Sequence, residues 1–372
     1  MNILLAPDSF KGSLSAVEVC RIASAALRES IKDVDVRAIP VADGGEGTVD
    51  SFVFALGAER KEAVVTGPRG LPVCATYAVA GDTALIEMAQ ASGLPLMLGQ
   101  RSAKTATTFG TGELIKTAAA DGCRKLIIGI GGSATTDGGI GCLSALGAVF
   151  TDRNGRPVSP DGVGMAQTAH VDLSGLDPAV KQCEITVLCD VTNPLFGPNG
   201  AAYVYAPQKG ADPETVAFLD DALQNLARVV KTDLGIDAAN EPGAGAAGGL
   251  GYALKALLNA ETKSGAETVL ALCGFDELLA AADWVLTGEG RFDRQSLMGK
   301  LPGVIARRLG GKKAAVICGV SSLEEAQARQ VGYRFVQETN PQHLPFEAIL
   351  PHCAEMLYEA VCAAAERMKS EE

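Results

Sequence analysis

The sequence predicts an α/β fold of two α/β domains: one discontinuous, built from both ends of the chain, and one inserted α/β domain with a mixed sheet. Three observations carry that expectation. The 372 residues exceed what one hydrophobic core usually supports. At both ends, apolar strands alternate with helical segments, the signature of a mostly parallel sheet covered on both faces. Between those ends the rhythm changes, and alternating apolar runs are separated by turn signals.

Taken in order, NILLAP at residues 2–7 is an apolar run of strand length. Ser15, with Glu18 three positions later, has the spacing of a capping box, and Ala16, Val19, Ala23 and Ala26 then repeat along one helical face. DVRAIPV at 35–41 reads as a second strand, followed by a glycine-rich turn and a helix through GTVDSFVFALG. The same alternation returns with a strand at 283–288, a helix over 303–309, a strand at 313–320, a helix after Ser321, a strand at 333–337 and an alanine-rich C-terminal helix. In the middle, Gly-Pro-Arg-Gly and Ala-Gly-Asp punctuate three meander strands between residues 62 and 89. Helices and strands resume through GELIKTAAADG, KLIIGIGG, EITVLCD and ETVAFLDDALQNLARVV. The expected division is 1–64 with 284–372 for the discontinuous domain and 65–283 for the insert.

Composition narrows the function. A net charge of -12 argues against nucleic-acid or anionic-membrane partners, which need a basic face to release counterions. The ten cysteines form no C-x-x-C pair and the three histidines are isolated, so neither a zinc site nor a disulfide framework is indicated. The opening residues lack a basic leader and a long apolar core, which predicts a cytoplasmic protein. No heptads mark an oligomer, so monomer and homodimer both stay open.

The chemistry concentrates in glycine-rich turns and at strand ends. GIGGSATTDGG at 129–139 packs five glycines, three hydroxyls and one carboxylate into eleven positions between a strand and a helix. Unblocked amides there favour an anion such as phosphate, although a tight turn with close helix packing uses glycine equally well. Gly129-x-Gly131-x-x-Ala134 also fits a dinucleotide fingerprint, with Asp152 near the distance expected for a ribose contact. That keeps an NAD-dependent hydroxyacid dehydrogenase as an alternative. Three more glycine-rich turns, at 42–48, 109–114 and 242–251, each precede a helical segment. Ionisable residues follow the inferred strands: Asp8 and Lys11, Asp43 and Glu46, Asp190, then Glu289, Arg291 and Asp293. Open parallel sheets bind ligands at those carboxyl ends.

The blocks APDSFKGSLSA, VADGGEGTVDS, TTFGTGELI, GIGGSATTDGGIGCLSALG, CDVTNPLFGPNGAA, PQKGA, GAGAAGGLGYAL and LTGEGRFDRQSLMGK together resemble the bacterial glycerate kinase family of type 1, in the right order over nearly the whole chain. The resemblance implies ATP-dependent phosphorylation of D-glycerate at the 2-hydroxyl, with Mg²⁺, giving 2-phosphoglycerate and ADP. It implies a flavodoxin- or Rossmann-like discontinuous domain, a second domain of restriction-endonuclease-like topology, and a site in the cleft between them. Residue type and expected location assign Lys11 and Arg291 to the glycerate carboxylate or the moving phosphoryl group. Asp190 is assigned as base, and Asp8 or Asp293 as the residue holding Mg²⁺. Gly44, Gly45, Gly47, Gly131 and Gly132, with the hydroxyls of Ser133 and Thr135, are assigned to phosphate. No role is carried over for Thr136.

Overall fold

The computed structural model describes residues 1–297 and 299–371. β1 (Asn2–Pro7) is buried from Ile3 onward, as its unbroken apolar run requires. The helix Ala16–Ser30 opens on the expected capping box: Ser15 Oγ accepts the Glu18 amide, and the Glu18 carboxylate accepts the Ser15 amide. β2 (Asp35–Ala38) follows, and the amides of Ile39 and Val41 continue its pairing to the carbonyls of Leu5 and Pro7. Gly47, at φ 93°, turns the chain into the helix Thr48–Leu56.

Residues 58–264 form one compact unit. β3 (Glu59–Thr66), β4 (Pro72–Ala80) and β5 (Thr83–Glu87) are the expected antiparallel meander. β6 (Lys125–Gly129) pairs parallel to β5. β7 (Val149–Thr151) and β8 (His170–Asp172) make a separate two-stranded ribbon. β9 (Glu184–Leu188) and β10 (Glu261–Lys263) add two further parallel strands, giving a mixed sheet of order β10-β9-β6-β5-β4-β3. The long helix Pro213–Leu234 is capped by Asp212, whose carboxylate accepts the Thr215 amide, and buries Val216, Leu219, Leu223 and Leu226 in this unit's core.

Residues 1–57 and 265–372 form the other compact unit. β11 (Trp284–Phe292), β12 (Lys313–Ser321) and β13 (Phe335–Glu338) join β1 and β2 in a fully parallel sheet of order β13-β12-β11-β1-β2. Counted within the unit this is the 2-1-3-4-5 order of flavodoxin-like folds. One face carries the helices Ala16–Ser30 and Cys353–Ser370, packed on Ile3, Leu5, Trp284 and Leu286. The other face carries Val304, Ile305 and the residues Ala266, Val269, Leu270, Phe275 and Leu279, against Leu4, Ala6, Ile39 and Val41. The segment 265–281, read from sequence as part of the insert, thus lies here: its two short helices each offer one apolar stripe, and that stripe covers this sheet. No helix among the described residues is long and apolar enough to cross a membrane.

Candidate active site

In the parallel sheet the strand order reverses between β1 and β11, and such a switch point opens a crevice beyond the carboxyl ends of the two strands. Asp8 is the first residue past β1. Its amide donates to the Gly288 carbonyl at 2.8 Å, which brings Asp8 beside Glu289 of β11. Both carboxylates are buried, Asp8 at 4% exposure and Glu289 at 7%. Burial, reinforced by the charge of Asp43, pushes Asp8 up to about 8 despite Lys11 and a 2.6 Å bond from the Ser9 amide. Burial pushes Glu289 up to about 7, against the opposing pull of the Ser296 hydroxyl, Lys300 and Lys11. Glu289 Oε1 has no hydrogen-bond donor among the described residues.

Lys11 reaches the same cluster. Its ammonium lies 3.3 Å from Asp43 Oδ2 with a side chain 54% exposed. Burial opposes its charge, but Asp43 and Asp8 outweigh that and hold it protonated above the usual lysine range. The other Asp43 oxygen accepts the Gly45 amide at 3.2 Å and so fixes the turn Asp43–Gly47, in which Gly44 and Gly47 both have left-handed backbones. Thr48 closes the turn by donating its hydroxyl to the Gly45 carbonyl at 2.6 Å.

Three carboxylates and one ammonium leave this cluster short of positive charge. Oxygen donors of that kind suit a hard divalent cation. Among the described residues no three metal-ligating side chains form one group. The set therefore fits a cation held by one or two carboxylates and completed by phosphate oxygens and water. Arg291, two residues beyond Glu289 on β11 and hence on the same strand face, is exposed. Asp293 Oδ1 is spent on a local turn, accepting the amides of Gln295 and Ser296 at 2.8 and 3.3 Å. Asp190 lies exposed just past β9, in the other compact unit.

In that second unit the glycine-rich stretch after β6 divides in two. Its later half is packed. Gly138 and Gly139 have left-handed backbones, and a Cβ on either would sit 2.4 Å from Leu226 Cδ2 or Ala253 Cβ. Asp137 is wholly buried: Oδ2 accepts the Thr108 amide and hydroxyl at 2.8 and 2.7 Å, and Oδ1 accepts the Gly139 amide at 3.0 Å. Burial raises its pKa and those bonds oppose the rise. The helix it leads into, Ile140–Ala145, begins well after Ala134.

The earlier half is partly open. Gly132 O accepts the Leu94 amide and the Ala134 amide donates to Ser92 O, both at 2.9 Å. The amides of Gly131, Gly132 and Ser133 donate to no protein acceptor among the described residues. Behind them Lys209, 2% exposed, donates from Nζ to Ser133 Oγ at 2.8 Å and to the Thr135 carbonyl at 2.6 Å. Burial lowers its pKa to about 7, against the pull of Asp137. The Thr135 hydroxyl, expected to meet a ligand, is instead wholly buried.

The dinucleotide reading fails on this geometry. Among the described residues no helix starts at the turn to receive a pyrophosphate, and Asp152 Oδ1 closes its own turn by accepting the amides of Asn154 and Arg156 at 2.8 and 2.9 Å. Sequence reasoning had also named Glu289 and Asp43 without giving them roles. Lys209 it quoted only inside PQKGA, and the one local signal for its burial is the flanking apolar run AAYVYAP.

The Glycerate kinase family pattern matches residues 3–369. The chain is 48% identical over 305 residues to a glycerate 2-kinase of Escherichia coli, covering 81% of this chain and 80% of that one. It is 43% identical over 362 residues to a glycerate kinase of Bacillus subtilis, covering 96% and 95% of the two chains. A crystal structure assigned as glycerate kinase 2 from Salmonella typhimurium matches with a TM-score of 0.84 at 41% identity, over 100% of this chain and 99% of that one. A match that runs the length of the chain, in sequence and in fold, leaves one conclusion: the chain belongs to the glycerate kinase family, a family of phosphotransferases.

Proposed function

We propose that the protein transfers the terminal phosphoryl group of ATP, with Mg²⁺, to the 2-hydroxyl of D-glycerate, giving 2-phosphoglycerate and ADP. The observation that carries the reading is the buried pair Asp8 and Glu289 at the switch point, flanked by the Lys11–Asp43 ion pair. The Escherichia coli relative is a glycerate 2-kinase, which supports the position of transfer.

Glu289 is suited to take the proton of the acceptor hydroxyl: its free oxygen has no competing donor among the described residues, and a pKa of about 7 matches a base working near neutrality. It replaces Asp190 in that role, because Asp190 is exposed and lacks the burial that tunes Glu289. Asp8 holds Mg²⁺ in this reading, and the bound ion would offset negative charge on the phosphate oxygens. Asp293 keeps one oxygen for its turn and is a weaker candidate for that ion. Lys11 and the exposed Arg291 neutralise the transferring phosphoryl group or the glycerate carboxylate. The amides of Gly44 and Gly47, and in the other unit those of Gly131, Gly132 and Ser133, are offered to phosphate oxygens, whereas the Gly45 amide is held by Asp43.

The test is ADP release from Mg-ATP with D-glycerate, L-glycerate, glycolate and tartronate, followed by phosphorus NMR of the product. Turnover with D-glycerate and an ester on the 2-oxygen is the expected result. An absence of ADP with every acid would overturn the reading, and an ester on the 3-oxygen would overturn its position.

A further inference from the structure

Lys209 is a buried amine that burial leaves only partly ionised near pH 7, with no carboxylate in salt-bridge range among the described residues. Its recorded hydrogen-bond partners are two neutral oxygens, Ser133 Oγ and the Thr135 carbonyl. The one acid whose charge reaches it, Asp137, spends its oxygens on Thr108 and Gly139. An ammonium buried without a paired anion costs stability, of which two hydrogen bonds to neutral oxygens repay only part. The charge therefore serves something other than folding. Both bonds end on the same five-residue loop, which also holds three consecutive amides without protein acceptors, at Gly131, Gly132 and Ser133. The loop is also tied to the segment Ser92–Leu94 by the Leu94 and Ala134 amides, so Lys209 adds a second set of anchors. Fixed amides backed by a buried positive charge form a concavity that suits a polyanion.

We propose that Lys209 is a positioning residue: its ammonium clamps Ser133 and Thr135, so that the amides of Gly131, Gly132 and Ser133 stay unpaired as a binding site for the phosphate oxygens of the nucleotide. The proposal rests on the phosphotransferase reading above, and it names which substrate this turn serves. Its strength lies in the charge being held out of contact with solvent. A buried ammonium cannot be screened by salt as a surface lysine is, and it needs no rearrangement when the anion arrives.

The experiment compares the full chain with Lys209→Met and Ser133→Ala. Steady-state kinetics separate KM for Mg-ATP from KM for D-glycerate, calorimetric titration with Mg-ADP gives a Kd that needs no acceptor, and thermal melting reports stability. The Met variant should raise the Mg-ADP Kd and the nucleotide KM about tenfold or more and leave KM for D-glycerate unchanged, with thermal melting confirming that it is folded. Ser133→Ala should move the same constants in the same direction by less. A purely structural lysine would instead leave nucleotide binding intact whatever the melting temperature does, which overturns the proposal. A change confined to KM for D-glycerate also overturns it, by assigning the turn to the acid. Should the Met variant not fold, an unchanged Mg-ADP Kd in Ser133→Ala has the same force. Wild-type protein that binds Mg-ADP but phosphorylates no acid would refute the function while leaving the Kd comparison decisive.

Discussion

Replacing Asp137 would unfold the loop that the sequence made look most catalytic. Its two oxygens accept three recorded bonds, from the Thr108 amide, the Thr108 hydroxyl and the Gly139 amide, inside a site with no solvent exposure. Alanine would strand those donors, and at about 1–3 kcal/mol for each unpaired buried group the loss is on the order of 5 kcal/mol. That is a large part of a typical stability of about 5–15 kcal/mol. Asparagine should rescue little. Both oxygens face donors, so either orientation of the amide sets its NH₂ group against an N–H or O–H. Equilibrium urea unfolding followed by circular dichroism, with hydrogen exchange at the Thr108, Gly139 and Cys142 amides to isolate this unit from the other, measures the effect. An alanine variant within about 0.5 kcal/mol of wild type would refute the reasoning. A stable variant that had lost turnover would make Asp137 part of the chemistry instead.

The remaining predictions concern the reaction. Glu289→Gln should lower kcat about a hundredfold or more with little change in melting temperature. Because the base must be unprotonated to act, wild-type kcat/KM should rise with pH through about 7, and the variant should lack that rising limb. Asp8→Asn should cut turnover about a hundredfold or more. It should also abolish the rise in melting temperature that Mg²⁺ gives the wild type, and a retained rise would remove Asp8 from the cation site. Gly132→Val, whose Cβ meets Ala89 at 3.3 Å and whose left-handed backbone at φ 74° adds about 1–2 kcal/mol of strain, should still fold and raise the nucleotide KM about tenfold. Gly138→Val, pressed to 2.4 Å from Leu226, should lower the melting temperature without touching KM in the protein that folds. Equal behaviour of these two glycine variants would sink the division of the loop into packed and open halves.

Local signals in the sequence were strong where the cause is local. The capping box at Ser15 and Glu18 involves two side chains and two amides three residues apart, and it forms as expected. The meander β3-β4-β5 is written in alternation and turn residues, and it pairs as expected. Strand order was another matter. Placing β11 beside β1 depends on contacts between opposite ends of the chain, so the neighbourhood of Asp8 and Glu289 could be suspected from strand ends but not seen. The three-residue strands β7, β8 and β10 are too short to show periodicity. Lys209 was hidden for a different reason: lysine belongs in solvent by default, and only the tertiary fold shows its ammonium enclosed by the loop of another segment.

Glycine is ambiguous in sequence because it serves two opposed ends, letting protein atoms come close and letting a ligand come close. Structure separates the two by what a Cβ would meet. In the turn at 109–114, Gly110 and Gly112 would drive a methyl to 2.0 Å from the Thr66 carbonyl and 2.2 Å from the Cys142 carbonyl. In the turn at 242–251, Gly245 and Gly248 would reach 2.2 Å from the Pro194 carbonyl and 2.0 Å from that of Thr135. Those glycines, like Gly138 and Gly139, are already filled by protein. Gly47 meets nothing within 4 Å, and Gly132 meets only one methyl. The turns at 44–47 and 131–133 also carry the charged neighbours, Lys11 with Asp43 in one and Lys209 in the other. Four glycine-rich turns looked equivalent as strings of letters. Space and charge together set two of them apart, one in each compact unit, and under the proposed reading an alanine scan across all four should change nucleotide affinity only at those two.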